Sequence, residues 1–338
     1  MKALIIERPD GPEALRFGDR PEPQLGPWDL RIKVHVSALN RADLLQMRGG
    51  YPAPAGVPSD IPGLEYAGVV LECGPHVNLF KRGDPVMGLV GGGAFAEQVV
   101  VHEREALPIP PNLSFEEAAA LPEAFLTAWD ALVLQGGLRS GEWVLVHAAG
   151  SGVGTAAVQL VHALGGRCVA TARSKGKLEQ AAHAYGVSRE ALIVPDLEAP
   201  GVPRFADRVR SVTGGGVHLA LELVGGNYVP ETLAAMAPRG RVILVGLLAG
   251  ATANVDLRTV LTRRLSVTGT VLRSRPLEEK LALAQAARRS LVPLFESGAL
   301  KPVLDTTCGV VPMRLDAVKQ ACARLGRNET FGKIVLRW

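Results

Sequence analysis

The sequence predicts an α/β protein in which a doubly wound parallel sheet is inserted in a β-rich domain. Three observations carry this. The chain has 338 residues, more than one ordinary core organises, which suggests about two domains. Its first third reads as short strands cut by turns, whereas from about residue 115 strands alternate with helical segments. The stretch from residue 288 is mixed again and ends in a strand, Lys333 to Arg337. The expected division is therefore 1–121 plus 288–338 for the β-rich domain and 122–287 for the α/β domain.

The elements follow in order. Leu30, Ile32, Val34 and Val36 alternate with Arg31, Lys33 and His35, the period of a half-buried strand. Tyr66 to Glu72 and Glu97 to Val101 are further strands. Pro52, Pro54, Gly56, Pro58, Pro62 and Gly63 punctuate the interval before them as turns. Ser114, followed by Glu116 and Glu117 and an alanine-rich run, marks a helix start. Trp143 to His147 is a compact apolar strand, and Thr155 to Leu164 places Ala157, Leu160, Val161 and Leu164 on one helix face. Arg167 to Ala172, Val217 to Leu223, Arg241 to Val245 and Leu265 to Val271 complete the predicted strands. Strands alternating with helices imply a parallel sheet with right-handed crossovers.

Composition narrows the function classes. With 47% hydrophobic and 21% charged residues the chain is globular, not disordered. A net charge of +4 without a run of basic residues gives no nucleic-acid footprint but suits an anionic small ligand. Cys73, Cys168, Cys308 and Cys322 lack disulfide-framework spacing, and a reducing cytoplasm is the expected setting. The opening MKALIIERPD has no signal-peptide core, and no apolar run reaches the ~18 residues of a membrane helix.

The strongest motif is WVLVHAAGSGVGTAAVQL, residues 143–160, with Gly152-x-Gly154-x-x-Ala157 at a strand-to-helix junction. In a Rossmann turn of this kind Gly152 lets the chain turn sharply and Gly154 leaves no Cβ before a pyrophosphate. Ala157 lets the helix pack close. The helix N-terminus around Val153 then offers N–H groups and a positive dipole end to phosphates. A tight turn without a ligand is the alternative. The next strand end decides the cofactor. No acid stands between Gly152 and Glu179, where an NAD site carries one for the ribose 2′-OH. Arg173, Ser174, Lys175 and Lys177 stand there instead, which suits a 2′-phosphate and predicts NADPH. A merely solvated basic turn is the other reading.

With these residues in hand, the chain resembles the medium-chain dehydrogenase/reductase superfamily over essentially its full length. It is most similar to the zinc-free quinone oxidoreductases, in particular the p53-inducible quinone oxidoreductase group. The segments carrying the likeness are 37–52 (SALNRADLLQMRGGYP), 62–70 (PGLEYAGVV), 121–132 (LPEAFLTAWDAL), 147–160 and 331–336 (FGKIVL). The resemblance implies a GroES-like catalytic domain, a Rossmann domain, a cleft between them, and a homodimer joined through the Leu265 to Val271 region.

Zinc members of the superfamily carry Cys and His ligands where this chain has Asn40 and Leu64. Asn is a poor zinc ligand and Leu is none, and the four-cysteine structural lobe is missing. Cys73 and His76 alone do not make a site. No metal is expected. Without a metal to polarise an alcohol, an acceptor that is already electrophilic, such as a quinone or another conjugated carbonyl compound, is the expected substrate.

Similarity also suggests site residues. Tyr51, after Gly49-Gly50, is placed near nicotinamide and substrate, where its hydroxyl can donate to the reduced oxygen; packing on prolines is the alternative. Asn40 is a candidate for hydrogen bonding cofactor or substrate, or else a turn former before Asp43, which anchors that loop. Thr127 is expected on the nicotinamide side, unless it back-bonds to its helix. Gly246 and Leu247 flank the ring, and Leu272, Arg273 and Ser274 do so one strand later. Asn328 and Lys333 are cofactor contacts from the tail, with an exposed charge as the other reading of Lys333. No tyrosine occurs in 192–196 to stack near the adenosine phosphate, as one does in some relatives. Two other functions compete: an enone or alkenal reductase using the same cofactor, and a non-catalytic, crystallin-like NADPH- or RNA-binding protein.

Overall fold

The computed structural model describes residues 1–198 and 202–338. The chain forms two compact units, Met1–Leu126 with Leu272–Trp338, and Thr127–Val271. In chain order the strands of the first segment are β1 (Lys2–Ile6), β2 (Leu15–Asp19), β3 (Asp29–Leu39), β4 (Glu65–Cys73), β5 (Pro85–Leu89), β6 (Gln98–His102) and β7 (Leu107–Pro108). The second unit holds β8 (Trp143–Val146), β9 (Arg167–Thr171), β10 (Leu192–Ile193), β11 (Asp196–Glu198), β12 (Val202–Arg204), β13 (Val217–Glu222), β14 (Met236–Leu244) and β15 (Ser266–Gly269). The chain then returns to the first unit for β16 (Val310–Pro312) and β17 (Ile334–Arg337).

The first unit is built on β3. Its alternation buries Leu30, Ile32, Val34 and Val36 while Lys33 faces solvent. Being long, it pairs with β4, β6 and β17 along its length, all antiparallel. The sheet order is β16-β17-β3-β4-β5-β7, with β6 also on β3. Ser114 caps its helix as the sequence predicts: its hydroxyl accepts from Glu117 N–H at 3.2 Å and the Glu117 carboxylate accepts the Ser114 N–H at 2.9 Å. The return to this unit falls at Leu272, not at 288. The helix Leu277–Ser290, which the strand–helix alternation assigned to the α/β domain, packs against β7 and the helix Val292–Glu296. Gln285 also donates to the Arg104 carbonyl at 2.8 Å. An apolar face at helical spacing shows that a helix is buried, not in which core.

The second unit is a parallel sheet of order β10-β9-β8-β13-β14-β15. Renumbered within the unit this is 3-2-1-4-5-6, the Rossmann order, which reverses direction between β8 and β13. β8 lies inside the sheet and is apolar throughout Val144–Val146. β15 is one edge of this sheet and its residues are exposed.

A buried polar hub ties the strand ends at the reversal. The His147 ring, directly after β8, bonds Thr171 Oγ1 at 2.8 Å and Thr232 Oγ1 at 2.9 Å. Thr232 donates to Glu222 Oε2 at 2.7 Å, and Glu222 accepts the N–H groups of Val224 and Gly225 at 2.8 and 3.0 Å. Burial holds the His147 pKa below its ordinary value, against the pull of Glu222. A neutral ring with its proton on Nε2 satisfies every bond: Nε2–H donates to Thr232 and Nδ1 accepts from Thr171.

The glycine turn after β8 corrects the sequence reading in detail. The left-handed residue is Ala148, φ 48°, and Gly152 instead opens the helix Gly152–Ala163. A Cβ on Gly154 would lie 2.3 Å from the Ala148 carbonyl oxygen, so the chain's own turn requires this glycine. Among the described residues no helix is long and apolar enough to cross a membrane.

Replacing His147 by Phe keeps the ring but leaves Thr171 and the Thr232–Glu222 pair short of a partner. We expect a loss of about 2–3 kcal/mol in urea unfolding, with Thr171→Val in the His147→Phe background costing little more, because the Thr171 hydroxyl has already lost the ring nitrogen it bonds.

Candidate active site

In the first unit, sheet register gathers charges that are far apart in the chain. Ile334 opposite Leu39 brings Lys333 level with Asn40, and Tyr66 opposite Ser37 brings Glu65 level with Ala38. The Lys333 ammonium, 5% exposed, donates to Glu65 Oε1 at 2.6 Å, and the Glu65 side chain is fully buried. Lys333 also donates to Asn40 Oδ1 and, at 3.5 Å, to the Leu39 carbonyl. Asn40 Nδ2 donates back to Glu65 Oε1 at 2.8 Å, and the Glu123 N–H donates to Glu65 Oε2 at 2.8 Å. The reading of Lys333 as an exposed charge is therefore overturned.

Asp43 anchors the adjoining loop as expected. Its carboxylate accepts the N–H of Asn40 at 2.7 Å and of Gly63 at 2.9 Å. Gly63 is left-handed (φ 99°), and a Cβ there would meet the Phe95 nitrogen at 2.5 Å. Burial nonetheless pushes the Asp43 pKa up to about 7, against these bonds and the Lys333 charge. Burial and then the Glu65 charge push Glu123 up to about 8.

Arg273 is committed to the protein. Its guanidinium donates to the carbonyls of Gly91 at 2.6 Å and Tyr51 at 2.8 Å, and to Gln46 Oε1 at 2.6 Å. It also lies over the Tyr51 ring, 4.6 Å from the centroid. Tyr51 is thus fixed by its ring and carbonyl, and among the described residues its hydroxyl has no hydrogen-bond partner. What Arg273 can offer a cofactor is backbone, not its charge. Leu272 is buried beside it and Ser274 exposed. Asn328, left-handed at φ 58°, accepts from Arg41 at 2.6 Å.

In the second unit, Ser151 caps the helix Gly152–Ala163 by accepting the Gly154 N–H at 3.0 Å. The N–H groups of Gly152 and Val153 remain at its open end. Arg173 and Ser174 are exposed just past β9, and Lys177 is half-buried on the following helix. Lys175, also exposed, pairs with Glu179 at 3.7 Å. Gly246 follows β14; a Cβ on it would lie 2.6 Å from the Leu223 carbonyl oxygen, while Leu247 beside it is 53% exposed. Thr127 is buried, and among the described residues its hydroxyl makes no back-bond to its own helix.

The structure therefore gathers Asn40, Tyr51, Arg273 and Lys333 in one unit, and Thr127, the glycine turn, the basic strand end and Gly246–Leu247 in the other. Sequence reasoning passed over Glu65 and Glu123. The signal was a single acid inside each apolar run, in GLEYAGVV and ALPEAFLTAW.

Comparison with known proteins places this architecture. Residues 26–111 match the alcohol dehydrogenase GroES-like domain, and residues 152–288 match the zinc-binding dehydrogenase family. The chain is 30% identical to quinone oxidoreductase-like protein 2 of Bos taurus, over 92% of this chain and 85% of that protein. It belongs to the quinone oxidoreductase-like proteins of the medium-chain dehydrogenase/reductase superfamily. Two solved structures are similar over the whole chain. A Pseudomonas syringae quinone oxidoreductase superimposes with a TM-score of 0.83 at 29% identity, covering 100% of this chain and 99% of that one. A mycobacterial protein in complex with NADPH gives 0.84 at 28%, covering 100% of both. The protein is thus an oxidoreductase with a nicotinamide cofactor.

The family's name implies zinc, but the donors here do not fit it. Asn40 Oδ1 and Glu65 Oε1 already face an ammonium, and Leu64 has no donor atom. Among the described residues no three His, Cys, Asp or Glu side chains converge to hold a metal ion.

Lys333→Met would strand the Glu65 carboxylate in the core. We expect about 3–5 kcal/mol of destabilisation in urea unfolding, largely recovered by adding Glu65→Gln.

Proposed function

We propose that this oxidoreductase uses NADPH to reduce a quinone or a similar conjugated carbonyl compound without a metal ion. The observation that carries this is the Lys333 ammonium standing between Asn40 and Glu65, where a metal enzyme would need donors to face its cation. With no Lewis acid to activate an alcohol, the substrate must itself be electrophilic, and a conjugated carbonyl is.

When bound, the reduced nicotinamide supplies the hydride. The chain's part is binding and orientation. The open N–H groups at Gly152 and Val153 suit a pyrophosphate, and Arg173, Ser174 and Lys177 suit a 2′-phosphate. Thr127, Gly246 and Leu247 are the candidates of the second unit for the ring, and the unbonded Tyr51 hydroxyl of the first can donate to the acceptor's oxygen. Asn40 and Lys333 act by holding Glu65 and the loops of the first unit in place. Enone or alkenal reduction is the second reading, favoured by a carboxyl group, Glu123, that holds a proton within the same cluster. The quinone oxidoreductase-like relative supports a catalytic role over a crystallin-like one.

A homodimer joined at β15 fits the second unit. This edge strand is unpaired on one side, and Val267, Val271, Leu257 and Leu261 nearby in sequence are 45–77% exposed. Burying such an edge and its apolar neighbours against a second copy would satisfy both.

NADPH oxidation by para-benzoquinone should proceed in the presence of a chelator and exceed that of NADH. Removing Arg173 and Lys177 together by alanine should raise KM for NADPH by roughly tenfold or more and leave NADH nearly unchanged. Turnover abolished by chelation, or no NADPH preference, would refute the reading. Sedimentation should show a dimer that Val267→Lys with Leu261→Lys converts to monomer.

A further inference from the structure

Among the described residues, every charged group around Glu65 has a partner except one. Lys333 is held by Glu65 and Asn40, Asp43 by two N–H groups, and Arg273 by two carbonyls and Gln46. The Glu123 carboxyl has no hydrogen bond or ion pair among the described residues; only its backbone N–H is engaged, by Glu65. The residue lies in the first turn of the helix Pro122–Trp129, between the buried Leu121 and the buried Ala124 and Phe125, and is itself half-buried.

We infer that Glu123 is the proton donor of the reaction. This rests on the reductase reading above. The reduction of a conjugated carbonyl needs a hydride and a proton. The hydride's electron pair forms the new bond at one end of the conjugated system, and the displaced π pair moves to the carbonyl oxygen. There an O–H bond forms as the Glu123 O–H bond breaks. The acceptor gains two electrons, the nicotinamide loses them, and the Glu123 carboxylate regains a proton from water.

The surroundings suit this role. The groups acting on Glu123 are Glu65 on β4, Asp43 on the helix Arg41–Met47, Lys333 before β17, and Arg273. The two carboxylates oppose its ionisation, and the two cations favour it but are already spent on other acceptors. With the pKa at about 8, the group carries its proton at neutral pH and releases it readily. Tyr51, the other polar group of the cluster without a partner, is pushed above its ordinary value by burial and by the Glu123 charge. It is therefore the weaker acid of the two, suited to orienting the carbonyl oxygen while Glu123 supplies the proton.

The test uses the full chain with NADPH and both a quinone and an alkenal. Wild-type kcat should fall above about pH 8, as the acid form is lost. Glu123→Gln should lower kcat by about 10²-fold or more, abolish that limb and the solvent isotope effect, and leave KM for NADPH near wild type. Tyr51→Phe should keep the limb. Independently of turnover, carbon-13 NMR of labelled glutamate should show one carboxyl titrating near 8 that is missing in Glu123→Gln. Wild-type kcat and an unchanged pH limb in Glu123→Gln would overturn the assignment while leaving the reductase reading intact. So would a Glu123 carboxyl titrating in the ordinary range. A wild type that binds NADPH but reduces neither acceptor would overturn both.

Discussion

The first unit depends on one buried ion pair, Lys333 with Glu65. An unpaired charge there would cost several kcal/mol, so the pair persists only because the neighbours complete it. Asn40 bridges both partners, and the Glu123 N–H takes the remaining carboxylate oxygen. These contacts join β3, β4, the helix Pro122–Trp129 and the closing strand β17. The pair thereby secures the C-terminal strand, because Lys333 must reach Asn40 for β17 to dock beside β3. It also commits Asn40 Oδ1 and Glu65 Oε1 to an ammonium, so neither oxygen is left to face a metal ion.

The second unit solves a similar problem with a neutral hub. His147, Thr171, Thr232 and Glu222 fasten the carboxyl ends of β8, β9 and β13 at the point where strand order reverses. In an open α/β sheet that crevice is where ligands bind. A rigid hub beneath it lets Ala148 take a strained left-handed conformation and Ser151 cap the helix, which leaves the N–H groups of Gly152 and Val153 facing outward. Preorganised donors cost no rearrangement when a pyrophosphate arrives.

Much of this was legible in the sequence, for physical reasons. The period-two pattern of β3 and the strand–turn–helix context of the glycine motif are local signals, and both elements stand where they were predicted. Asn40 and Lys333 were identified, but not as partners, because only sheet register brings them together. The glycines were assigned to the turn correctly and for partly different reasons: Ala148, not Gly152, makes the left-handed bend, and Gly154 clears its own chain. The return at Leu272 was missed because the periodicity of Leu277–Ser290 does not name the core it enters. Arg273 was expected to serve a ligand, yet its long side chain is the strut under Tyr51.

The division between spent and unspent groups links the fold to the reaction. A folded interior satisfies its polar atoms, so those left over mark where something else is to bind or react. In the first unit, the lysine, the arginine, Asn40 and two of the three carboxyl groups are consumed in holding one another. Among the described residues, the Tyr51 hydroxyl and the Glu123 carboxyl are not. Both are acids that keep their protons near neutral pH, which is the requirement for reducing a carbonyl and the reverse of what is needed to deprotonate an alcohol. Burial and then the Glu65 carboxylate raise the affinity of Glu123 for its proton, against the pull of Lys333, so the ion pair that occupies Asn40 and Glu65 also sets the balance at this remaining acid.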